Sequence, residues 1–296
     1  MTTQEAAQKA LAMSKTGDVH AEETAAYYKG GRDMKPGIHL DIPNSIYHGF
    51  DAVSNGYLKK LGEVPAKAKI PQPDTPAMLF GRAVHAYVLE GREAFDKEFC
   101  VAPKVDKRTT EGKAEWAEFV ECNGGKDVVS EDDYYKIRDI TDAVKRHPLA
   151  VRMLSEGISE VTAIWEDDGL LCKCRPDRIP DGNRGVILDL KTCSDASEVG
   201  FSRAVANFGY YRQAAWYIDG VNKAGGKEVD AMAFIAVEKE PPYRTEVYVL
   251  GDDFVDFGRS ECRRLIDIEK RCRKANFWPH YANPGAADIF KPAWMV

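Results

Sequence analysis

The sequence predicts an α/β fold with helical additions on its N-terminal side, and three observations predict it. Hydrophobic periodicity is helical through the first half of the chain and becomes extended after Pro148. Three β-rich segments, "SEVTAIWED", "LLCKCRPDRIP" and "RGVILDLKT", then follow one another, parted by the turn signals "DDG" and "DGNRG". Helical and extended patterns alternate from there to the C-terminal tail, and no internal repeat or second set of strands calls for another core.

Taken in order, residues 1–38 are polar and broken by "YYKGGRDMKPG", which predicts a loosely held arm. Residues 39–296 are expected to form a single domain. "HLDIPNSIYHGFDAVSNGYLKKLG" predicts a turn and then a short helix capped by Ser54 or Asn55. The Pro- and Lys-rich "VPAKAKIPQPDTP" is a loop. Residues 76–91 predict a helix that Pro76 opens and Gly91 closes, with Gly81, Val84, His85 and Val88 on one stripe. "APKVDKRTTEGKAEWAEF" predicts an exposed loop leading into a helix that carries Trp116 and Phe119. "SEDDYYKIRDITDAVKRHP" is a helix, acidic at its start and stopped before Pro148. After the three β-rich segments comes one helix over about 198–219. Two strands, "DAMAFIAVEKE" and "RTEVYVL", a long amphipathic helix from Asp252, and an irregular tail with Trp278 and Trp294 complete the chain.

Composition narrows the functional classes. Of 296 residues 44% are hydrophobic, enough for a sizeable core, and no apolar run approaches a membrane span. The first residues lack the apolar centre of a signal peptide, so a soluble cytoplasmic protein away from membranes is expected. Seven scattered cysteines, an odd number, read as reduced thiols; Cys172 and Cys174, two apart on a strand, share one face. The net charge of −6 argues against a non-specific nucleic-acid coat but leaves room for local cation-binding acids.

The chemistry-bearing residues gather around Asp177, Asp189 and Lys191. Residues two apart on a strand share a face, so Asp189 and Lys191 project together while Leu188 and Leu190 face the opposite layer. If the segments holding Asp177 and Asp189 pair across "DGNRG", the two carboxylates converge and repel unless a cation such as Mg²⁺ or Mn²⁺ neutralises them. Lys191 then supplies a fixed positive charge toward a phosphoryl oxygen. The plainer alternative is a turn Asp177 beside a strand-end salt bridge between Asp189 and Lys191. Gln213 and Tyr217, at i and i+4 on the following helix, are either phosphate- or water-binding groups or an ordinary helix edge. Glu160 is either a supporting metal ligand or a surface acid, and His85 is either a metal ligand or a satisfied core histidine.

The ordered set "YHGFDAVSNGYLKKL", "LFGRAVHAYVLEG", "KRHPLA", "CRPDRI", "ILDLKT", "YYRQAAWY" and "AVEKEPPY" resembles the PD-(D/E)XK nuclease superfamily. More closely, it resembles the C-terminal nuclease domain of RecE-type phage and prophage exonucleases (exodeoxyribonuclease VIII), over roughly residues 40–296. That resemblance implies a restriction-endonuclease-like core, a central mixed sheet flanked by helices. It implies His85, Asp177 and Asp189 as metal ligands, Lys191 as the catalytic lysine, and Gln213 and Tyr217 as the helical motif. The implied activity is Mg²⁺-dependent 5′-to-3′ digestion of linear double-stranded DNA, with Mn²⁺ substituting, inside a bacterial host cell. The 3′ single strands would serve recombination through a RecT-type annealing protein. The resemblance also implies a homo-oligomeric ring, a tetramer rather than a trimer. Arg175, Arg178, Arg203 and Arg212 are the candidates for attracting DNA. The competing expectations are an endonuclease or single-strand nuclease on the same scaffold, and a catalytically inactive DNA-end-binding protein.

Overall fold

A computed structural model describes residues 34–71, 73–155, 157–179, 184–225, 228–280, 286 and 288–292. Trp294 and most of the expected N-terminal arm lie outside these residues. The arm's last stretch is held in place: Met34 is buried, and strand β1 (Gly37–His39) pairs antiparallel with residues 162–164.

The N-terminal half is helical, as its periodicity requires. Helix α1 (Asn44–Gly49) leads to α2 (Asn55–Glu63), whose cap is Ser54, its hydroxyl accepting the Tyr57 N–H at 3.2 Å. A 3₁₀ turn over Pro65–Lys69 precedes α3 (Pro76–His85), which has Pro76 in its first turn and Thr75 as its side-chain cap. From Ala86 to Glu90 the helix widens into a π-turn and ends at Gly91, whose φ of +89° suits only glycine. Next come α4 (Arg92–Glu98), β2 (Phe99–Val101), α5 (Thr110–Cys122), β3 (Asp127–Val129), α6 (Glu131–Arg146) and α7 (Pro148–Ser155). Ser130 caps α6, with three acids in its first turn and Lys145 and Arg146 in its last, matching the helix dipole at both ends.

The C-terminal half supplies the sheets. It contains β4 (Ile158–Ser159), β5 (Thr162–Asp167), β6 (Leu170–Cys174), β7 (Arg178–Ile179), β8 (Arg184–Cys193), α8 (Glu198–Phe208), α9 (Tyr210–Lys223), β9 (Glu228–Glu238), β10 (Thr245–Val249) and α10 (Asp252–Ala275). The main sheet runs β10-β9-β8-β7-β4 and is mixed: β8 and β9 are parallel, and the other neighbours are antiparallel. A smaller antiparallel sheet runs β1-β5-β6, and β2 pairs with β3 in parallel.

Strand β8 separates two apolar layers, as its period-two pattern demands. Leu188 and Leu190 face a core shared with Ala83, Val84, Phe95, Ile137 and Ile140 from the N-terminal helices. Ile187 faces a second core with Phe201, Ala214, Trp216, Phe234, Leu265 and the small sheet's Trp165, Cys172 and Cys174. Each fully buried side chain of this size contributes roughly 1.5–3 kcal/mol, so both faces of the sheet are firmly covered. All seven cysteines are free thiols, and no helix among the described residues is long and apolar enough to cross a membrane.

Several features differ from the sequence expectations, among them a 3₁₀ turn over Pro65–Lys69 in the segment expected to be a loop. The helix expected over 198–219 is two helices, α8 and α9, because Gly209 turns left-handed at φ +72°. A Cβ there would sit 2.9 Å from Arg212 Nη2, so the break also makes room for that guanidinium. The segment "SEVTAIWED" is not one strand: Glu160 takes φ +52° and sends β4 to the large sheet and β5 to the small one. "LLCKCRPDRIP" divides likewise, with β6 in the small sheet and β7 in the large one. Finally, β1, β2 and β3 escaped notice because three residues cannot establish a period.

Candidate active site

The two sheet-switching corners lie side by side, joined by a hydrogen bond from Glu160 N–H to the Asp177 carbonyl oxygen at 3.2 Å. The pairing register explains what gathers there. Ser159 lies opposite Arg178, and Arg178 lies opposite Leu188. One residue further on, Glu160 just past β4, Asp177 just before β7 and Asp189 on β8 fall into a single row. The expected pairing of the Asp177 and Asp189 segments is therefore present, and it sets like charges opposite one another, an arrangement that costs energy unless something compensates.

Local partners compensate in part. Asp177 is 8% exposed and accepts the backbone N–H of Leu190 at 2.7 Å through Oδ2. His85 Nδ1, at the last residue of α3, is 3.3 Å from the same oxygen. Asp189 is 1% exposed; its Oδ1 accepts from Gln213 Nε2 at 2.5 Å, and its Oδ2 lies 2.5 Å from Lys191 Nζ. That ammonium is the counter-charge of Oδ2, which has no other polar partner among the described residues. The Tyr210 ring backs Lys191, its centroid 4.9 Å from Nζ.

The electrostatics follow from this crowding. Burial works against ionising Asp177, yet His85, Lys191 and the Leu190 N–H outweigh it and hold its pKa below the usual range. Burial and the neighbouring Asp177 raise the Asp189 pKa, with Lys191 and His85 opposing. Burial also disfavours the charged forms of His85 and Lys191, but the two aspartates override it and raise both pKa values. Burial, then Asp177, pushes the Glu160 carboxyl up to about 7, while Arg175 opposes. The Glu160 side chain is still 39% exposed, so solvent screens part of that effect.

The structure thus pairs His85 with Asp177 and both Lys191 and Gln213 with Asp189, and the strand register sets the two groups side by side with Glu160 next to them. Gln213 holds a carboxylate rather than facing open solvent. Tyr217 is half-buried one turn further along α9; burial, then Tyr47 and Asp189, raises its pKa well above the ordinary tyrosine value. Two of the arginines expected to attract DNA are engaged within the fold. Arg175 donates to the Ile42 carbonyl at 2.8 Å and to Thr162 Oγ1 at 3.0 Å, and stacks 4.2 Å from the Tyr47 ring centroid. Arg212 is 6% exposed and donates to Asn55 Oδ1 at 3.1 Å. Arg178 donates to Ser159 Oγ at 2.8 Å beside the site, and Arg203 is exposed.

Sequence reasoning missed Tyr210, the Leu190 N–H and Lys173. The last is 5% exposed, and its ammonium donates to the Tyr47 and Phe50 carbonyls at 2.6 and 2.5 Å, tying α1 to β6. A lysine in the otherwise apolar "LLCKC" was the one available signal.

No three His, Cys, Asp or Glu side chains among the described residues form a ready metal cage. The residues nonetheless fit a divalent cation. A buried carboxylate oxygen partnered only by an ammonium among the described residues, two opposed acids and a third alongside are what a hard cation satisfies, and the lysine supplies the counter-charge meanwhile.

Comparisons with known proteins agree with this fold. No curated protein matches the sequence. Among solved structures, a Eubacterium rectale protein whose name proposes an exonuclease shares the fold, with a TM-score of 0.57 at 14% identity, covering 86% of this chain and 96% of that one. A structure of LHK-Exo in complex with dAMP aligns at 13% identity over 68% of this chain and 98% of that one, but its TM-score of 0.26 carries no argument. The family described as "PDDEXK-like domain of unknown function (DUF3799)" matches residues 45–291, a span that takes in both corners, β8 and α9. With most of its length matched, the chain belongs to that PDDEXK-like family.

Proposed function

We propose that the protein is a metal-dependent exodeoxyribonuclease that digests linear double-stranded DNA from its 5′ ends. The observation that carries this reading is the row of Glu160, Asp177 and Asp189 with the Lys191 ammonium 2.5 Å from Asp189. Acids so placed are unfavourable for stability, and their convergence on one positive side chain suits phosphodiester hydrolysis.

Asp177 and Asp189 would hold the cation, Mg²⁺ with Mn²⁺ as substitute, and Glu160 and His85 would support it. Once bound, that ion supplies Lewis-acid charge at the scissile phosphate. Lys191 stays protonated beside two carboxylates and neutralises charge developing on the phosphoryl oxygens, while the Tyr210 face fixes its direction. Gln213 keeps Asp189 in one rotamer. His85 does the same for Asp177 and is its counter-charge while no cation is held. Tyr217, one turn beyond Gln213 on α9, would donate toward a phosphate, as the resemblance implies. The resemblance of the ordered motifs to RecE-type exonucleases supports the finer reading, in which 3′ single strands pass to a RecT-type annealing partner and the enzyme acts as a ring, a tetramer rather than a trimer.

One gel series tests the proposal: end-labelled linear, nicked and closed circular duplexes, each with Mg²⁺ and with chelator. Cation-dependent shortening of linear duplex from its 5′ ends is expected. Cutting of closed circles indicates an endonuclease instead, and loss of single strands alone indicates a single-strand nuclease. Binding to ends without any cleavage in Mg²⁺ or Mn²⁺ indicates an inactive end-binding protein.

A further inference from the structure

Glycine weakens a helix interior, so each one there calls for a reason. Most helix-interior glycines in this protein have one. A Cβ on Gly62 would press on Leu265 at 3.2 Å, on Gly112 it would strike the Asp106 carbonyl at 2.2 Å, and on Gly200 the Asp195 carboxylate at 2.3 Å. On Gly220 it would meet the Trp165 ring at 2.5 Å, and on Gly258 the Tyr211 carbonyl at 2.2 Å. Gly81, the sixth of the ten residues of α3, is different: among the described residues a Cβ there meets nothing within 4 Å, and its φ is not in the left-handed region. Neither packing among the described residues nor backbone conformation asks for glycine at this position.

Its location supplies the reason. Gly81 lies one turn before His85, whose imidazole touches Asp177 at 3.3 Å. Side chains on a helix lean toward its N-terminus, so the surface over Gly81 adjoins the imidazole. Arg82 beside it is held by Asp74 and Asp127, and Met78, one turn earlier, is 43% exposed, so the helix here faces solvent. We infer that the bare backbone at Gly81 is clearance for the substrate: a sugar–phosphate strand running through the site passes over this turn of α3 at a distance that a methyl group would close. Gly81 is thus a specificity-determining position that admits a bulky polymer backbone to His85 and Asp177. This inference rests on the nuclease reading above.

The test compares wild type with Gly81→Ala and Gly81→Leu in three measurements: thermal melting, steady-state cleavage of end-labelled linear duplex in Mg²⁺, and binding of a labelled duplex in Ca²⁺ by fluorescence anisotropy. Alanine is the better helix former and has room, so the melting temperature should rise by about 2 °C. Over the same step kcat/KM should fall about tenfold, and further for leucine, since small misplacements at a reacting phosphate are costly. A more stable yet slower enzyme is an outcome that a purely structural glycine cannot produce. Undiminished cleavage by Gly81→Leu, alongside an active wild type, would overturn the clearance role and leave the nuclease reading intact. A wild type that neither cuts nor binds DNA overturns both.

Discussion

Replacing Gly258 with alanine sets two known effects against each other, and the structure decides between them. In an exposed helix interior the change stabilises by about 1 kcal/mol. Here the new Cβ would lie 2.2 Å from the Tyr211 carbonyl oxygen and 2.9 Å from the Ala215 Cβ. Relief requires α10 and α9 to part by about 1 Å, because a backbone carbonyl cannot rotate aside as a side chain can. Overpacking of this kind costs about 1–3 kcal/mol, and a backbone obstacle belongs at the upper end. The net expectation is a loss of about 1–2 kcal/mol, read as a lower urea midpoint at an unchanged m-value. The identical substitution at Gly81, with open space around it, should gain about 1 kcal/mol, so the pair brackets the argument. Tyr211 lies two residues before Gln213, so the forced shift also loosens the bond that Gln213 makes to Asp189. If Gly258→Ala equals or exceeds wild type in stability, the close approach of the two helices is wrong.

Other predictions follow from the same contacts. Asp177→Ala, Asp189→Ala and Lys191→Ala should each remove nearly all cleavage while keeping a cooperative melt; near-wild-type cleavage by Asp189→Ala would defeat its assignment. Divalent cation should raise the melting temperature of wild type but not of Asp189→Ala, since the ion stabilises only a fold with both acids; a chelator-treated wild type melting no lower than the loaded one would contradict this. Gln213→Ala should need roughly 10- to 100-fold more cation and recover near-wild-type turnover at saturation, because Gln213 orients a ligand rather than reacting; an uncorrectable loss would show a direct role. Burial, against the opposing pull of Asp51, brings the Lys173 pKa down to about 8 from 10.5. Between those values the unfolded chain carries the proton and the folded one does not, so this group's contribution to stability rises with pH. The stability difference between wild type and Lys173→Met should therefore grow by about 1 kcal/mol per pH unit from pH 8 upward, and a flat difference would refute it.

The strands that carry the site were legible because Asp189 and Lys191 stand two apart at the end of the apolar run "VIL" and "DGNRG" is a turn signal in the sequence, so the pairing of the Asp177 and Asp189 segments could be foreseen. The helix over 76–91 was legible from Pro76 and Gly91, which act locally. What escaped was long-range. The break at Gly209 depends on a glycine inside an otherwise good helical pattern, where tertiary demand from Arg212 outweighs propensity. The corner at Glu160 is invisible because the residues on either side are both good strand formers, and only the presence of a second sheet separates them. Arg175 and Arg212 look like surface cations in sequence; their burial is dictated by the Ile42 carbonyl, Thr162 and Asn55, residues far away along the chain.

The hydrogen bond from Leu190 to Asp177 ties reactivity to architecture. Where β7 gives out, β8 hands its next amide to a carboxylate, so one oxygen atom closes a rung of the sheet and also faces the imidazole of His85. An ion drawing on that oxygen competes with the rung. Occupancy of the site must then be felt along β8, and the exchange rate of a single amide proton, that of Leu190, becomes a gauge of loading that needs neither substrate nor turnover.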